Sequence, residues 1–174
     1  MAATIFVDTN VLVYARDAGH PEKQAIAMRW LDRLWQDQSG RTSMQVLSEL
    51  YVTLTRKLKP GMRREEAWDD IEALLAWDPQ PVDRDLLLRA REVQDRYRLG
   101  WWDSMIVAAA QLQDCDMLLT EDLQDAMAFG HVTIRSPFKP GVEDTRGSYA
   151  TDTGIARRHR PPGRPRKLAA RFAG

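Results

Sequence analysis

Four acidic residues stand where sequence rules would not place ordinary surface charge. Asp8 closes the apolar run Thr4-Ile5-Phe6-Val7 and opens Thr9-Asn10-Val11-Leu12-Val13. Glu49 lies inside Val46-Leu47-Ser48-Glu49-Leu50-Tyr51-Val52, and Asp103 sits between Trp101-Trp102 and Ser104-Met105-Ile106-Val107. Asp122 follows Met117-Leu118-Leu119-Thr120-Glu121. A carboxylate among apolar neighbours must be paired, hydrogen-bonded or bound to metal, because an isolated buried charge is costly. Four of them spread along one chain suggest convergence on a hard divalent cation such as Mg²⁺ or Mn²⁺. Such an ion is the usual apparatus for cutting phosphate esters. Thr9, Asn10, Ser104 and Thr120 flank the acids and are expected to hydrogen-bond and orient the ligand carboxylates.

Each acid also has a plainer reading. Asp8 fits an Asx turn, Glu49 an exposed helix position, Asp103 a helix N-terminal acid and Asp122 a helix cap. Glu121, beside Asp122, is an alternative fourth ligand. His20, His131 and His159 are read as loop, strand and tail residues without a catalytic part. With one cysteine and three histidines, the sulfur and imidazole set that zinc prefers is nearly absent.

The elements that must position these acids follow from periodicity. Thr4 to Val7 reads as a short buried strand. Pro21 opens a helix to about Gln38, stopped by Gly40, with a short strand around 41–43. Helices are expected over about 44–58, 63–77, 83–98 and 102–114. Strands are expected at Met117 to Leu119 and His131 to Ile134, with a helical turn from Asp122 to Met127. Short apolar strands alternating with longer helices imply an α/β domain with a mainly parallel sheet. Sites in such sheets lie beyond the carboxyl ends of the strands. Asp8 and Asp122 each follow a strand end, and Asp103 lies in the first turn of a helix.

Composition bounds the rest. The 44% hydrophobic content is enough for one core, and the lone Cys115 fits a buried thiol in a reducing cytoplasm. No apolar stretch approaches the ~20 residues of a membrane span, and the start lacks signal-peptide character. The division expected is a folded α/β domain over residues 1–139 and a basic, Pro- and Arg-rich tail over 140–174, read as disordered. Residues 151–174 hold seven basic groups against Asp152, a net +6, while the other 150 residues hold 18 basic and 24 acidic groups, a net −6. An acidic body argues against a protein that simply coats nucleic acid. Arg56, Lys57 and Lys59 are candidate phosphate contacts and Trp102 a candidate base-stacking residue, each with a solvated or core-packing alternative.

The segments Val7-Asp8-Thr9-Asn10-Val11-Leu12-Val13-Tyr14, Leu47-Ser48-Glu49-Leu50, Trp102-Asp103-Ser104-Met105-Ile106-Val107-Ala108-Ala109-Ala110 and Leu119-Thr120-Glu121-Asp122-Leu123-Gln124 resemble the PIN domain, and more narrowly VapC-type toxins of toxin–antitoxin pairs. The resemblance spans about residues 4–138. It implies a three-layer α/β/α sandwich and a Mg²⁺- or Mn²⁺-dependent endoribonuclease whose acidic quartet is Asp8, Glu49, Asp103 and Asp122. It also implies a homodimer held inactive by a small antitoxin. The chain departs from the pattern at Ala126, where the family often has glycine, and in its long basic extension. Two other classes stay open on the residues alone: a silent RNA- or protein-binding domain, and a metal-dependent hydrolase of small phosphates.

Overall fold

The apolar run after Thr4 forms strand β1 (Ile5–Val7), an inner strand of a five-stranded sheet in a computed structural model that describes residues 3–140. The tail expected beyond that point lies outside the described residues. The sheet order is β2-β1-β3-β5-β4, with β2 at Gly40–Arg41, β3 at Met117–Leu119, β4 at Ala128–Phe129 and β5 at Val132–Arg135. β2, β1, β3 and β5 run parallel, and β4 pairs antiparallel with β5. Successive residues Phe6 and Val7, and Leu118 and Leu119, are all fully buried. Side chains alternate between the faces of a strand, so both faces of the sheet are covered, as a parallel sheet requires. The architecture is the three-layer α/β arrangement that the sequence implies.

Among the described residues six α-helices supply the cover: α1 (Thr9–Tyr14), α2 (Pro21–Gln36), α3 (Met44–Val52), α4 (Arg64–Leu74), α5 (Arg84–Tyr97) and α6 (Trp101–Leu112). Local chemistry starts several of them. Pro21 stands at the first position of α2, where its missing N–H costs nothing. The Ser43 hydroxyl accepts the Val46 N–H at the head of α3, and Asp83 accepts the Leu86 N–H at the head of α5. Such caps contribute about 1 kcal/mol each.

Four local readings are corrected. Residues 9–14 form a helix where the sequence shows only an apolar run; every residue of α1 is buried, so no polar face marks its period. The helix expected to reach residue 58 ends as an α-helix at Val52 and continues as a wide π-turn over Thr53–Lys57. Gly40 is no helix stop: it lies in β2, and a Cβ there would stand 2.5 Å from the Trp77 ring. Residues 122–127 are not helical. The Ala126 N–H donates to Ile134 O, the Asp125 carboxylate accepts the Ser136 N–H, and the loop is thereby drawn onto β5. Ala126 itself has φ +66°, the left-handed conformation that glycine adopts freely and that costs other residues roughly 1–2 kcal/mol. The backbone turn expected of glycine is kept although a methyl group is present.

Cys115 is fully buried, and burial pushes its thiol up to about 12. A thiol so rarely ionised is a packing group and not a nucleophile. No helix among the described residues is long and apolar enough to cross a membrane.

Candidate functional site

Chain direction reverses around β1: the path leaves it for β2 on one side and reaches β3 on the other. The carboxyl ends of β1 and β3 therefore flank the topological switch point, where open parallel sheets leave a crevice. Asp8 is the first residue after β1 and Thr120 the first after β3. The Asp8 N–H donates to Leu119 O at 3.1 Å, which continues the ladder to the crevice and locks both strand ends together.

Asp8 is only 2% exposed, and its two carboxylate oxygens are held by different groups. Oδ1 accepts the Thr9 N–H at 2.8 Å and so caps α1. Oδ2 accepts the Thr120 hydroxyl at 2.8 Å and the Asn10 amide at 3.3 Å. The same Asn10 Nδ2 donates to Thr120 Oγ1 at 3.0 Å and to Asp122 Oδ2 at 3.3 Å. The Asp122 N–H donates to Thr120 Oγ1 at 3.1 Å. Thr9 and Glu49 close the other side: Thr9 Oγ1 donates to Glu49 Oε2 at 3.2 Å. Gln45, one turn earlier on α3, donates to Glu49 Oε1 at 3.0 Å. Asp8, Glu49 and Asp122 thus belong to one continuous network through Thr9, Asn10 and Thr120.

Asp103 enters from α6. That helix is joined to β3 by four residues and runs back along the sheet, so its N-terminus lies at the edge where β3 ends. Asp103 occupies its first turn, where the helix dipole favours an anion. One oxygen, Oδ1, is buried, and Oδ2 lies 3.6 Å from where a Cβ on Gly100 would stand. Ser104 is buried, and its hydroxyl donates to Gly100 O within its own helix at 2.9 Å.

Glu121 points elsewhere. Its carboxylate accepts Lys23 Nζ at 2.6 Å and the Tyr14 hydroxyl at 2.9 Å. Burial opposes charge on Lys23, yet the bonds to Glu121 and Tyr14 outweigh it and raise its pKa. Burial, with the Glu121 anion close by, raises that of Tyr14 as well. Asp122, not Glu121, is the acid that joins Asn10 and Thr120. Tyr14, Lys23 and Gln45 were not singled out in the sequence. Only Gln45 left a trace there, as a polar residue four before Glu49 on one helix.

The donors at this edge are all oxygen, with the hardness that Mg²⁺ or Mn²⁺ prefers over zinc. Among the described residues no group of three or more His, Cys, Asp or Glu side chains already stands at metal-holding spacing. Neutral Asn and Thr donors lie between the carboxylates, as mutual repulsion of like charges requires. The donor chemistry fits a divalent cation, and Asp8, Glu49 and Asp122 are linked through groups that can exchange a hydrogen bond for a cation. Arg56 and Lys57, in the π-turn after α3, and Lys59 beyond it are exposed. Trp101 and Trp102 are half-buried and pack on the core.

Two solved structures share this architecture. A toxin–antitoxin complex from Klebsiella pneumoniae is similar with a TM-score of 0.56 and 21% identity, covering 79% of this chain and 99% of that one. VapBC2 from Rickettsia felis, bound to a DNA fragment from its promoter, gives 0.52 and 16%, covering 76% and 97%. VapC20 of Mycobacterium tuberculosis, a sarcin-ricin loop cleaving toxin, gives 0.49 and 24%, covering 68% and 92%. No curated protein matches the chain. The PIN domain model matches residues 5–128, well over half of the sequence. With a parallel sheet whose switch point gathers acidic side chains, and with that match along its length, the chain belongs to the PIN domain family.

Proposed function

We propose that the protein is a metal-dependent endoribonuclease, the toxin of a toxin–antitoxin pair, that hydrolyses RNA phosphodiester bonds. The observation that carries this reading is the network at the switch point, in which Asn10 and Thr120 bind Asp8 and Asp122 together and Thr9 binds Glu49. Asp8, Asp103 and Asp122 would hold Mg²⁺ or Mn²⁺, with Glu49 as a further ligand or an acceptor for water. Bound there, the ion supplies Lewis acidity at the phosphate and lowers the pKa of a coordinated water.

The chain's own residues do the positioning. Thr9 N–H, Asn10 and Thr120 fix both oxygens of Asp8, so the carboxylate need not reorganise when charge develops nearby. Gln45 and Thr9 hold the two oxygens of Glu49 in the same way. Exposed Arg56, Lys57 and Lys59 are suited to contact the RNA backbone, and Trp102 to stack on a base.

An antitoxin is the protein partner in this reading. A cavity of about 280 Å³ opens among α1, α2, α3 and α4, lined by Leu12, Met28, Leu31, Trp35, Leu50 and Leu74 and rimmed by the charged Arg16, Asp32 and Asp70. Met28 and Trp35 remain 49% and 40% exposed, which suits an apolar segment of that partner. The protein acts in the cytoplasm as a homodimer; Val82 before α5 and Leu87 and Leu88 on it are exposed apolar residues available to the second copy. Light scattering should return twice the 19.9 kDa chain mass, and a monomer at micromolar concentration would remove the dimer.

Chelation tests the chemistry. EDTA should stop cleavage of a labelled RNA, and excess Mn²⁺ or Mg²⁺ should restore it. Cleavage that persists under chelator would overturn the metal-dependent reading. Hydrolysis of a small phosphate ester with intact RNA would favour the small-phosphate hydrolase instead.

A further inference from the structure

The metal-nuclease reading leaves one problem of local geometry. Two acids, Glu121 and Asp122, follow β3 side by side in a segment that is neither helix nor strand, so secondary structure does not decide which one faces Asp8. We propose that Lys23 is a positioning residue that decides it, by holding Glu121 away so that Asp122 faces the carboxylate cluster. This rests on the reading above.

Three elements grip the Lys23 ammonium and its partner. Nζ lies 2.6 Å from Glu121 Oε2 and 3.2 Å from the Tyr14 hydroxyl. It also stands over two aromatic rings, 4.3 Å from the Tyr14 centroid and 5.0 Å from that of Phe138. Tyr14 and Phe138 are themselves packed edge to face. The cation is therefore fixed by α2, by α1 and by the segment after β5 together. Its side chain is 31% exposed and that of Glu121 13%, so the pair is more sheltered than an ordinary surface ion pair.

One face of α1 sorts the two acids. Asn10 and Tyr14 are four residues apart, hence on the same side of that helix. Asn10 donates to Asp122 Oδ2 and accepts the Glu121 N–H at 3.4 Å, while Tyr14 donates to the Glu121 carboxylate. Remove the Lys23 charge, and Glu121 becomes a sheltered anion held by one phenol. Leaving such an anion without its cation is costly, so it turns toward solvent or toward the cluster and takes the loop with it. Asp122 then loses its register with Asn10 and Thr120.

The test uses Mn²⁺ alone as the probe, titrated into the full chain and followed by electron paramagnetic resonance. Lys23→Met should weaken Mn²⁺ binding about tenfold, the usual size of effect for a residue that orients a ligand. Lys23→Arg, which can hold the same carboxylate, should bind Mn²⁺ nearly as the wild type does. Near-UV circular dichroism of each variant reports whether its fold is native. Glu121→Gln keeps an acceptor for Lys23 and Tyr14, and it should retain affinity even if Lys23→Met proves unstable. Loss of Mn²⁺ binding in Glu121→Gln would make Glu121 itself a ligand and overturn the proposal, as would wild-type affinity in a folded Lys23→Met. A wild-type chain that binds no Mn²⁺ would instead remove the metal-nuclease reading underneath.

Discussion

Asp8→Asn should reduce RNA cleavage by about 1000-fold while the protein keeps its fold. The two halves of that expectation come from different oxygens of one side chain. Asn is as good a helix cap as Asp, so the bond from the Thr9 N–H to Oδ1 survives and α1 still starts at Thr9. The second position becomes an amide NH₂ in place of Oδ2. The bonds that Oδ2 accepts from Thr120 and Asn10 are lost, because Thr120 Oγ1 already accepts from Asn10 and Asp122, but the ladder bond from the residue 8 N–H to Leu119 O holds the strand ends together. The negative charge is lost. A divalent cation is worth several kcal/mol to phosphate chemistry, and a loss of ~4 kcal/mol corresponds to about three decades in rate. Single-turnover cleavage of a labelled RNA measures the rate, and a thermal melt followed by circular dichroism measures the fold. Undiminished cleavage would take Asp8 out of the reaction. A collapsed melt would show that its part is structural.

The second large effect concerns stability and involves no charged group. Gly40→Ala should lower the melting temperature by roughly 10 °C. The new methyl carbon would stand 2.5, 2.6 and 2.7 Å from three atoms of the Trp77 ring. That ring cannot swing aside: Trp77 is 4% exposed and packs against Trp35 with centroids 5.0 Å apart. The strand cannot retreat either, because Gly40 pairs with Ile5 of the inner strand β1. Overpacking of this kind costs about 3 kcal/mol. Each kcal/mol shifts the midpoint by roughly 2–4 °C in a chain of this size. Trp77→Leu in the same chain should recover part of the loss by making room. A melting temperature equal to wild type would mean that β2 can shift without disturbing β1.

These two residues also mark what a reader of the sequence can and cannot see. Asp8 was legible because a carboxylate at the end of an apolar strand breaks the local pattern. The same logic located Asp103 in the first turn of α6 and Asp122 after β3, since helix and strand periods fix their ends within a residue or two. Gly40 was misread as a helix stop because its reason for being glycine is Trp77, thirty-seven positions away and invisible to any local rule. Helix α1 escaped because Val11, Leu12 and Val13 are buried on all sides, which erases the amphipathic period. The loop at 122–127 was expected to be helical because nothing nearby announces that Asp125 will hold the Ser136 N–H. The choice between Glu121 and Asp122 was likewise undecidable locally: the group that engages Glu121 is Lys23, 98 positions away.

The bond from Thr120 to Asp8 spans 112 positions. Until Thr120 and Asp122 have been synthesised and have cleared the ribosomal exit tunnel, the first strand has β2 on one side only and Asp8 has no Thr120 hydroxyl to hold it. A half-translated chain therefore carries Asp8 without the hydroxyl that fixes its Oδ2. The order of residues along the chain thus delays assembly of this edge until Thr120 has been made.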